Sequence, residues 1–266
     1  MAQGPSVLLP TRRMPASRTA TRAVGEAREA SGAREAQPDR RWNILLAAEK
    51  LFARSGFLAV SFRDIAAEAG VPLALVGYYY GAKHELYHAI FESWSGLSAS
   101  RLESLKAAAS EPALEARLVR IIEAFVGPVL AMHQHPEGQH WAMMAARDLA
   151  APTPEADRAQ REFFDPMAHA FIDALMGAAP GATRGQVAWC YQFMLGALLH
   201  HLTDVRVERL SRGENRPADP AVAPLLVTFV AAGFRAVLAA APRAARPKTR
   251  PKRSAPEPRG LTRRKQ

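Results

Sequence analysis

The chain has 266 residues, of which 48% are hydrophobic, enough for one sizeable core and a small satellite domain. Its single cysteine excludes an internal disulfide and a cysteine-based zinc site, and we find no apolar run of the ~18–20 residues that a membrane span requires. The net charge of +10 is concentrated at the two ends, since residues 1–41 carry +4 and residues 243–266 carry +9. The stretch 84–242 is mildly acidic and carries −4. This middle part is therefore not expected to lie on DNA.

Both ends of the chain are predicted to be disordered. Residues 1–38 are rich in Ala, Arg, Gly, Pro and Ser, and residues 242–266 are rich in Pro and Arg. The basic C-terminal tail is either a DNA-flanking contact or a solvated segment. Between the two ends, apolar residues recur at helical spacing and no alternating strand pattern is found. The sequence therefore predicts an all-α protein.

The first ordered segment predicts two short helices behind one longer helix. Ser61 with Asp64 forms a capping box that opens the second helix, and Gly70 ends it. Pro72 suits the first turn of a third helix because its missing N–H would be unpaired there. This pattern indicates a helix-turn-helix domain over residues 39–83.

Six further helices are predicted over residues 84–241. Their approximate bounds are 83–105, 114–132, 138–149, 154–176, 184–210 and 220–240. The last two are more apolar than one small domain needs to bury, which indicates a dimer interface. The residues assigned to it are Leu198, Leu202, Leu226, Phe229 and Phe234.

The segment Ser61 to Phe91, SFRDIAAEAGVPLALVGYYYGAKHELYHAIF, resembles the signature of the tetracycline-repressor (TetR/AcrR) family. Where a common variant of that signature has roughly Val-Asn-Tyr-His-Phe, this chain has Val76-Gly-Tyr-Tyr-Tyr80. Gly77 is the departure. Glycine inside a helix costs ~0.5–1 kcal/mol relative to alanine, so Gly77 should either loosen the helix or allow close approach to the DNA backbone.

The single cysteine favours a cytosolic protein. The resemblance implies a three-helix DNA-binding domain, a six-helix effector domain and a homodimer that usually represses transcription until a small ligand releases it from its operator. Carried over by position, the DNA-binding candidates are Arg40, Arg41, Ser61, Arg63, Leu73, Ala74, Leu75, Gly77, Tyr78, Tyr79 and Lys83.

These candidates divide by chemistry. Leu73, Ala74 and Leu75 can read bases only through apolar contacts, such as thymine methyl groups, or else they belong to the core of a small bundle. Arg63 is the best candidate for a base hydrogen bond. Tyr78, Tyr79 and Lys83 are candidate phosphate contacts, with packing as the alternative for Tyr79. Arg40 and Arg41 are either a phosphate clamp or solvated charges.

The larger domain has an aromatic- and methionine-rich interior, where a ligand cavity is expected. The candidate residues, for most of which core packing is the favoured alternative, are Trp141, Met144, Arg147, Phe163, Met167, Phe171, Trp189 and Phe193. Arg147 either pairs with an acid such as Asp165 or awaits an anionic group of a ligand.

Other interpretations find less support. The histidines of residues 133–140 could suggest a metal site, but Pro136 and Gly138 favour a solvated loop, so we expect no metal and no cofactor. A helical enzyme would need a nucleophile–base pair or phosphate loop that we do not find. A nonspecific architectural DNA-binding protein would leave the apolar middle domain unexplained.

Overall fold

The computed structural model describes Arg12 and residues 40–240, and these residues form helices and no strand. The all-α prediction is confirmed. The predicted disordered ends lie outside the described residues, apart from Arg12. The α-helices are α1 Arg40–Ser55, α2 Phe62–Ala69, α3 Leu73–Tyr80, α4 Lys83–Ser93, α5 Ser95–Ala109, α6 Leu114–His133, α7 Pro136–Ala150, α8 Pro154–Ala159, α9 Asp165–Ala178, α10 Arg184–Thr203, α11 Val207–Leu210 and α12 Ala223–Ala240.

The helix-turn-helix forms from the local signals in its sequence. The Ser61 hydroxyl accepts a hydrogen bond from the Asp64 amide (3.3 Å), and the Asp64 carboxylate accepts one from the Ser61 amide (2.8 Å). Gly70 ends α2 in the left-handed region at φ 63°. Its N–H donates to the carbonyls of the last turn of α2, so the chain reverses within three residues and begins α3.

Among the described residues, the six helices predicted after residue 83 become nine α-helices. The first of them breaks at Trp94, where ψ is 9°. The Trp94 indole N–H donates to the carboxylate of Glu49 on α1 (2.8 Å), a contact between distant residues that helical periodicity does not encode. A π-helical turn at Gln160–Phe164 separates α8 from α9, and the helix predicted to reach Leu210 ends at Thr203.

The predicted histidine-containing loop at residues 133–140 is mostly helical. Pro136 is the first residue of α7, where its missing N–H costs nothing. At Gly138 a β-carbon would overlap the carbonyl oxygen of Met132, so glycine allows the start of α7 to fold closely onto the end of α6. Within the described part of the chain, no group of three His, Cys, Asp or Glu residues could hold a metal ion.

One continuous core joins the two parts of the fold. Helix α6 packs against α5, α7, α9 and α12, while α1 packs against α2, α4 and α7. The helix-turn-helix is therefore attached to the larger part mainly through α4 and α7. This attachment positions the sites described next.

Candidate nucleic-acid interface and internal cavity

Helix α3 presents one side to solvent. Leu73, Ala74 and Tyr78 are exposed, and the exposed fraction of Tyr78 is 67%. Leu75 and Tyr79 are half-buried against the core, so the packing alternative applies at least in part to both. Ser61 and Arg63 lie exposed at the start of α2, although the Ser61 hydroxyl is already used in capping. The accessible candidates on these helices thus include one cation, Arg63.

Gly77 is not required by packing inside the protomer. A β-carbon built on it would meet no atom within 4 Å, and its helix is regular. Only an outside molecule would meet such an atom. The open space excludes a packing constraint from the described residues and leaves room for close approach of a partner.

Two of the predicted phosphate contacts have structural partners. The Lys83 ammonium donates to the carbonyls of Phe57 and Val60, both at 2.9 Å, and lies over the Phe57 ring. The Arg41 carbonyl accepts from the Tyr80 hydroxyl (2.7 Å), and its guanidinium lies 5.5 Å from the centre of that ring. Lys83 thus secures the loop between α1 and α2, whereas Arg40 is exposed.

An internal cavity of about 130 Å³ lies between α5, α6, α7, α9 and α10. Its lining is largely aromatic and aliphatic, and it includes the predicted Trp141 and Met167. The polar residues among its lining are Arg101, Gln160, Asp165, Tyr191 and Gln192. This volume is below the ~300 Å³ common for ligand pockets, so a drug-sized molecule would have to widen it.

Arg101 is the unexpected residue of this cavity. It is 6% exposed, its Nε has no hydrogen-bond partner, and its one hydrogen bond reaches the Phe125 carbonyl at 3.4 Å. Its guanidinium lies 4.7 Å and 5.5 Å from the ring centres of Phe125 and Phe171. Burial lowers the pKa of Arg101 to about 10, and the nearby Tyr191 opposes this shift. Among the described residues Arg101 forms no ion pair, although Asp165 also lines the cavity.

The spacing of apolar residues along α5 is a sequence signal for Arg101. Leu97, Arg101, Leu105 and Ala108 follow one another at helical spacing and are the four buried residues of α5. An arginine on the apolar stripe of a helix must enter the core.

The prediction for Arg147 was wrong on both of its alternatives. Its guanidinium donates to the carbonyls of Ala53 (3.2 Å) and Arg54 (3.0 Å), which are orphan acceptors at the C-terminal end of α1. The carboxylate of the next residue, Asp148, accepts the one hydrogen of the Tyr87 hydroxyl of α4, whose oxygen lies 2.6 and 2.7 Å from the two carboxylate oxygens. Burial raises the pKa of Asp148 to about 6. Helix α7 therefore holds α1 and α4 through adjacent residues.

The remaining predicted ligand residues separate into three groups. Met144 and Phe171 are core residues beside the cavity, and Phe171 contacts Arg101. Phe163 packs on His88 and Phe91 of α4 instead. Trp189 and Phe193 are 65% and 60% exposed, with their rings 6.0 Å apart on the outer face of α10. None of these five residues lines the cavity, so the prediction that they do is wrong.

The predicted dimer residues are also divided by burial. Leu198, Leu202, Leu226 and Phe234 are buried inside the protomer, because α12 packs this face against α6 and α10. Phe229 is 71% exposed. The apolar residues left exposed on α10 and α12 are Trp189, Phe193, Leu225, Phe229 and Val237.

We expected no segment of membrane-spanning length, and the span Pro220–Leu238 contradicts this prediction. By length and composition it could cross a membrane, and 22% of it is buried. It is the one such span among the described residues. Its apolar outer face adjoins that of α10, and Cys190, Phe193, Phe229 and Phe234 line a shared groove. This surface suits burial against another apolar surface.

Comparisons with known proteins agree with this geometry. Residues 44–90 match the model described as bacterial regulatory proteins, tetR family, and residues 123–233 match that of the tetracyclin repressor-like C-terminal domain. Together the two models span more than half of the chain. A search of curated proteins finds no match.

Two solved structures share the fold. The hemolysin II transcriptional regulator HlyIIR is 17% identical, with a TM-score of 0.50 over 73% of this chain and 96% of its own. The fatty acid degradation regulator FadR from Bacillus halodurans is 15% identical, with a TM-score of 0.51 over 78% of this chain and 99% of its own.

Proposed function

Because the chain belongs to the TetR family of bacterial regulatory proteins, and is therefore a DNA-binding transcriptional regulator rather than an enzyme, we propose that it is a repressor released from its operator by a small anionic effector. Residues 39–83 would read DNA, and residues 84–241 would bind the effector and dimerise. Regulators of this family are in general cytoplasmic proteins, and we assign this one to the cytoplasm.

The DNA interface we propose is smaller than the predicted one. Leu73 and Ala74 contact base edges through apolar contacts, and Arg63 supplies a base hydrogen bond. Tyr78 and Arg40 contact phosphates, since both are exposed. Lys83 acts indirectly, through the loop that it secures.

A homodimer places two such helices on a near-palindromic site, with half-sites ~34–36 Å or more apart. The exposed faces of α10 and α12 would form its interface, with Trp189, Phe193 and Phe229 at the centre. The support is that these large apolar side chains are exposed on two neighbouring helices, although the rest of both helices packs tightly.

The observation that supports an anionic effector is the burial of Arg101 with few hydrogen-bond partners. A buried guanidinium with one long hydrogen bond is costly unless a partner arrives. A carboxylate entering the cavity would accept from its free donors, while Phe125, Trp141 and Met167 would cover an apolar body. The effector class is therefore a small hydrophobic carboxylic acid.

Helix α7 offers the route from the effector to DNA. Trp141, Ala145 and Leu149 of this helix line the cavity, and Arg147 and Asp148 bind α1 and α4. A ligand larger than 130 Å³ must move lining helices, and a shift of α7 would be passed to the helix-turn-helix. Effector and operator then weaken each other's binding equally, by ~1–3 kcal/mol or roughly 5–150-fold.

The test begins by finding the operator through footprinting on palindromes near the gene. Release from it is then measured by fluorescence anisotropy with a panel of small aromatic and aliphatic carboxylic acids and their matched amides. We expect some acids to release the wild-type protein, their amides to fail, and Arg101→Met to ignore both. Equal release of wild type and Arg101→Met, or release by amides, would refute the anionic class. The absence of any sequence-specific footprint would favour the architectural alternative.

A further inference from the structure

The side chain of Arg12 is packed inside the protein between α1 and the junction of α4 with α5. It is 12% exposed, and its Nη2 donates to the Glu49 carboxylate and to the Ser93 hydroxyl, both at 2.9 Å. Residue 12 lies 37 residues before Glu49 and 81 before Ser93. The contact is therefore tertiary and not a consequence of local chain geometry.

Two indole rings complete the surroundings of this guanidinium. Its Cζ lies 4.3 Å from the centre of the Trp94 ring and 4.9 Å from that of the Trp42 ring. Tryptophan faces are the strongest aromatic partners of cations, and the attraction grows when water is excluded. A carboxylate between two indoles is a recognition surface for an organic cation.

The pocket belongs to the folded framework rather than to Arg12. Glu49 is fully buried, and the Trp94 indole N–H holds its second oxygen at 2.8 Å. Ser93 is also fully buried, with its hydroxyl donating to the Ile90 carbonyl at 2.7 Å. A buried carboxylate is costly without a countercharge, and Arg12 is the cation of the described residues that lowers the pKa of Glu49. Burial outweighs it and raises that pKa to about 7.

Arg12 occupies the pocket incompletely. Its Nε and Nη1 are buried without a hydrogen-bond partner. Arg12 precedes the start of α1 by 28 residues and belongs to the same chain as the pocket, so it competes with any free cation as an intramolecular ligand. A free cation at sufficient concentration could therefore exchange with it.

We propose that the pocket formed by Trp42, Glu49, Ser93 and Trp94 is a binding site for small guanidinium compounds, with Arg12 as its resident, exchangeable occupant. The site is separate from the anion-binding cavity and has the opposite charge preference. The two are neighbours, because the Trp94 ring lies 6.4 Å from that of Trp141, which lines the cavity. Exchange at this site would alter the contact between α1 and the α4–α5 junction.

The test uses the full-length chain and chemical rescue. Arg12→Ala is titrated with ethylguanidinium chloride, with ethylurea as the neutral isostere and sodium chloride as the ionic-strength control. Tryptophan fluorescence and Tm are recorded. We expect Arg12→Ala to have a lower Tm than wild type, and ethylguanidinium alone to restore it saturably. Wild type should require a higher concentration of the cation than Arg12→Ala, because Arg12 competes.

Two further variants make the result specific. Arg120→Ala removes the same charge from an exposed position on α6 and should respond to ethylguanidinium as wild type does. Arg12→Ala/Glu49→Gln should lose the response to ethylguanidinium, because the carboxylate is gone. A response to ethylurea, a response that survives in the double variant, or no saturable response in Arg12→Ala would each overturn the proposal. If Arg12→Ala fails to fold, the competition in wild type and its loss in Glu49→Gln decide the matter.

Discussion

Replacing Arg101 by methionine should stabilise the protein in the absence of any effector. The pKa of Arg101 falls from 12.5 to about 10, and one pKa unit is worth ~1.36 kcal/mol, so keeping this charge in the interior costs about 3 kcal/mol. The two cation–π contacts, at roughly 1 kcal/mol each, offset about 2 kcal/mol of that cost. Methionine fills a similar volume without a charge. The expected net gain is about 1 kcal/mol.

Thermal and urea unfolding at pH 7.5 measure this gain, which corresponds to a Tm increase of roughly 2–4 °C for a fold of this size. The control is Arg120→Met, because Arg120 is an exposed arginine that pairs with Glu111. It should change stability by less than about 0.5 kcal/mol. An effector-free Arg101→Met protein that lost more than about 2 kcal/mol would refute the reasoning, since the guanidinium would then be a structural anchor.

Four other predictions concern the helix-turn-helix, the buried carboxylate and the dimer. Gly77→Ala should raise Tm, because alanine favours the helix by ~0.5–1 kcal/mol, yet weaken operator binding; a rise in both would argue against close DNA approach. Lys83→Met should lower Tm, because two charged hydrogen bonds of ~1.5–3 kcal/mol each are lost. An unchanged Tm together with weaker DNA binding would instead support Lys83 as a phosphate contact. The pKa of Glu49 is raised from its ordinary value of 4.5 to about 7, so the folded state binds this proton more tightly than the unfolded state. The free energy of unfolding should therefore fall as pH rises from 4.5 to 7. Glu49→Gln should flatten this part of the profile, and an identical slope in the variant would contradict the assignment. Phe229→Asp should produce monomers at micromolar concentration in ultracentrifugation. The control, Leu58→Asp, changes an equally exposed position outside α10 and α12 and should leave the dimer intact. Dimers in both variants would place the interface elsewhere.

The helix-turn-helix could be predicted because its signals act over short distances along the chain. The capping box of Ser61 and Asp64 spans three residues, and Gly70 ends α2 through its own backbone conformation. The family signature lies in the same stretch. Exposure on α3 was harder to assign, since Leu73 and Leu75 are alike in chemistry and differ only in which side of the helix meets α1 and α2.

The faces of the C-terminal helices could not be predicted in the same way. Helix α12 is apolar around most of its circumference, so periodicity identifies a helix but not the side that packs on α6 and α10. Leu226 and Phe234 lie on that side, and Phe229 lies on the other. Periodicity likewise does not show that Trp189 and Phe193 of α10 face outward, away from the predicted ligand cavity.

The sequence by itself determined the helical class, the DNA-binding motif and the presence of an apolar surplus near the C-terminus, because each depends on residues within a few turns of one another. Only the tertiary structure decided which arginine enters the cavity. Arg147 finds the carbonyls at the end of α1, 93 and 94 positions earlier, whereas Arg101 finds aromatic rings and no carboxylate. A side chain's partner is set by the elements that fold beside it, so the charge state and use of these arginines follow from packing between distant segments.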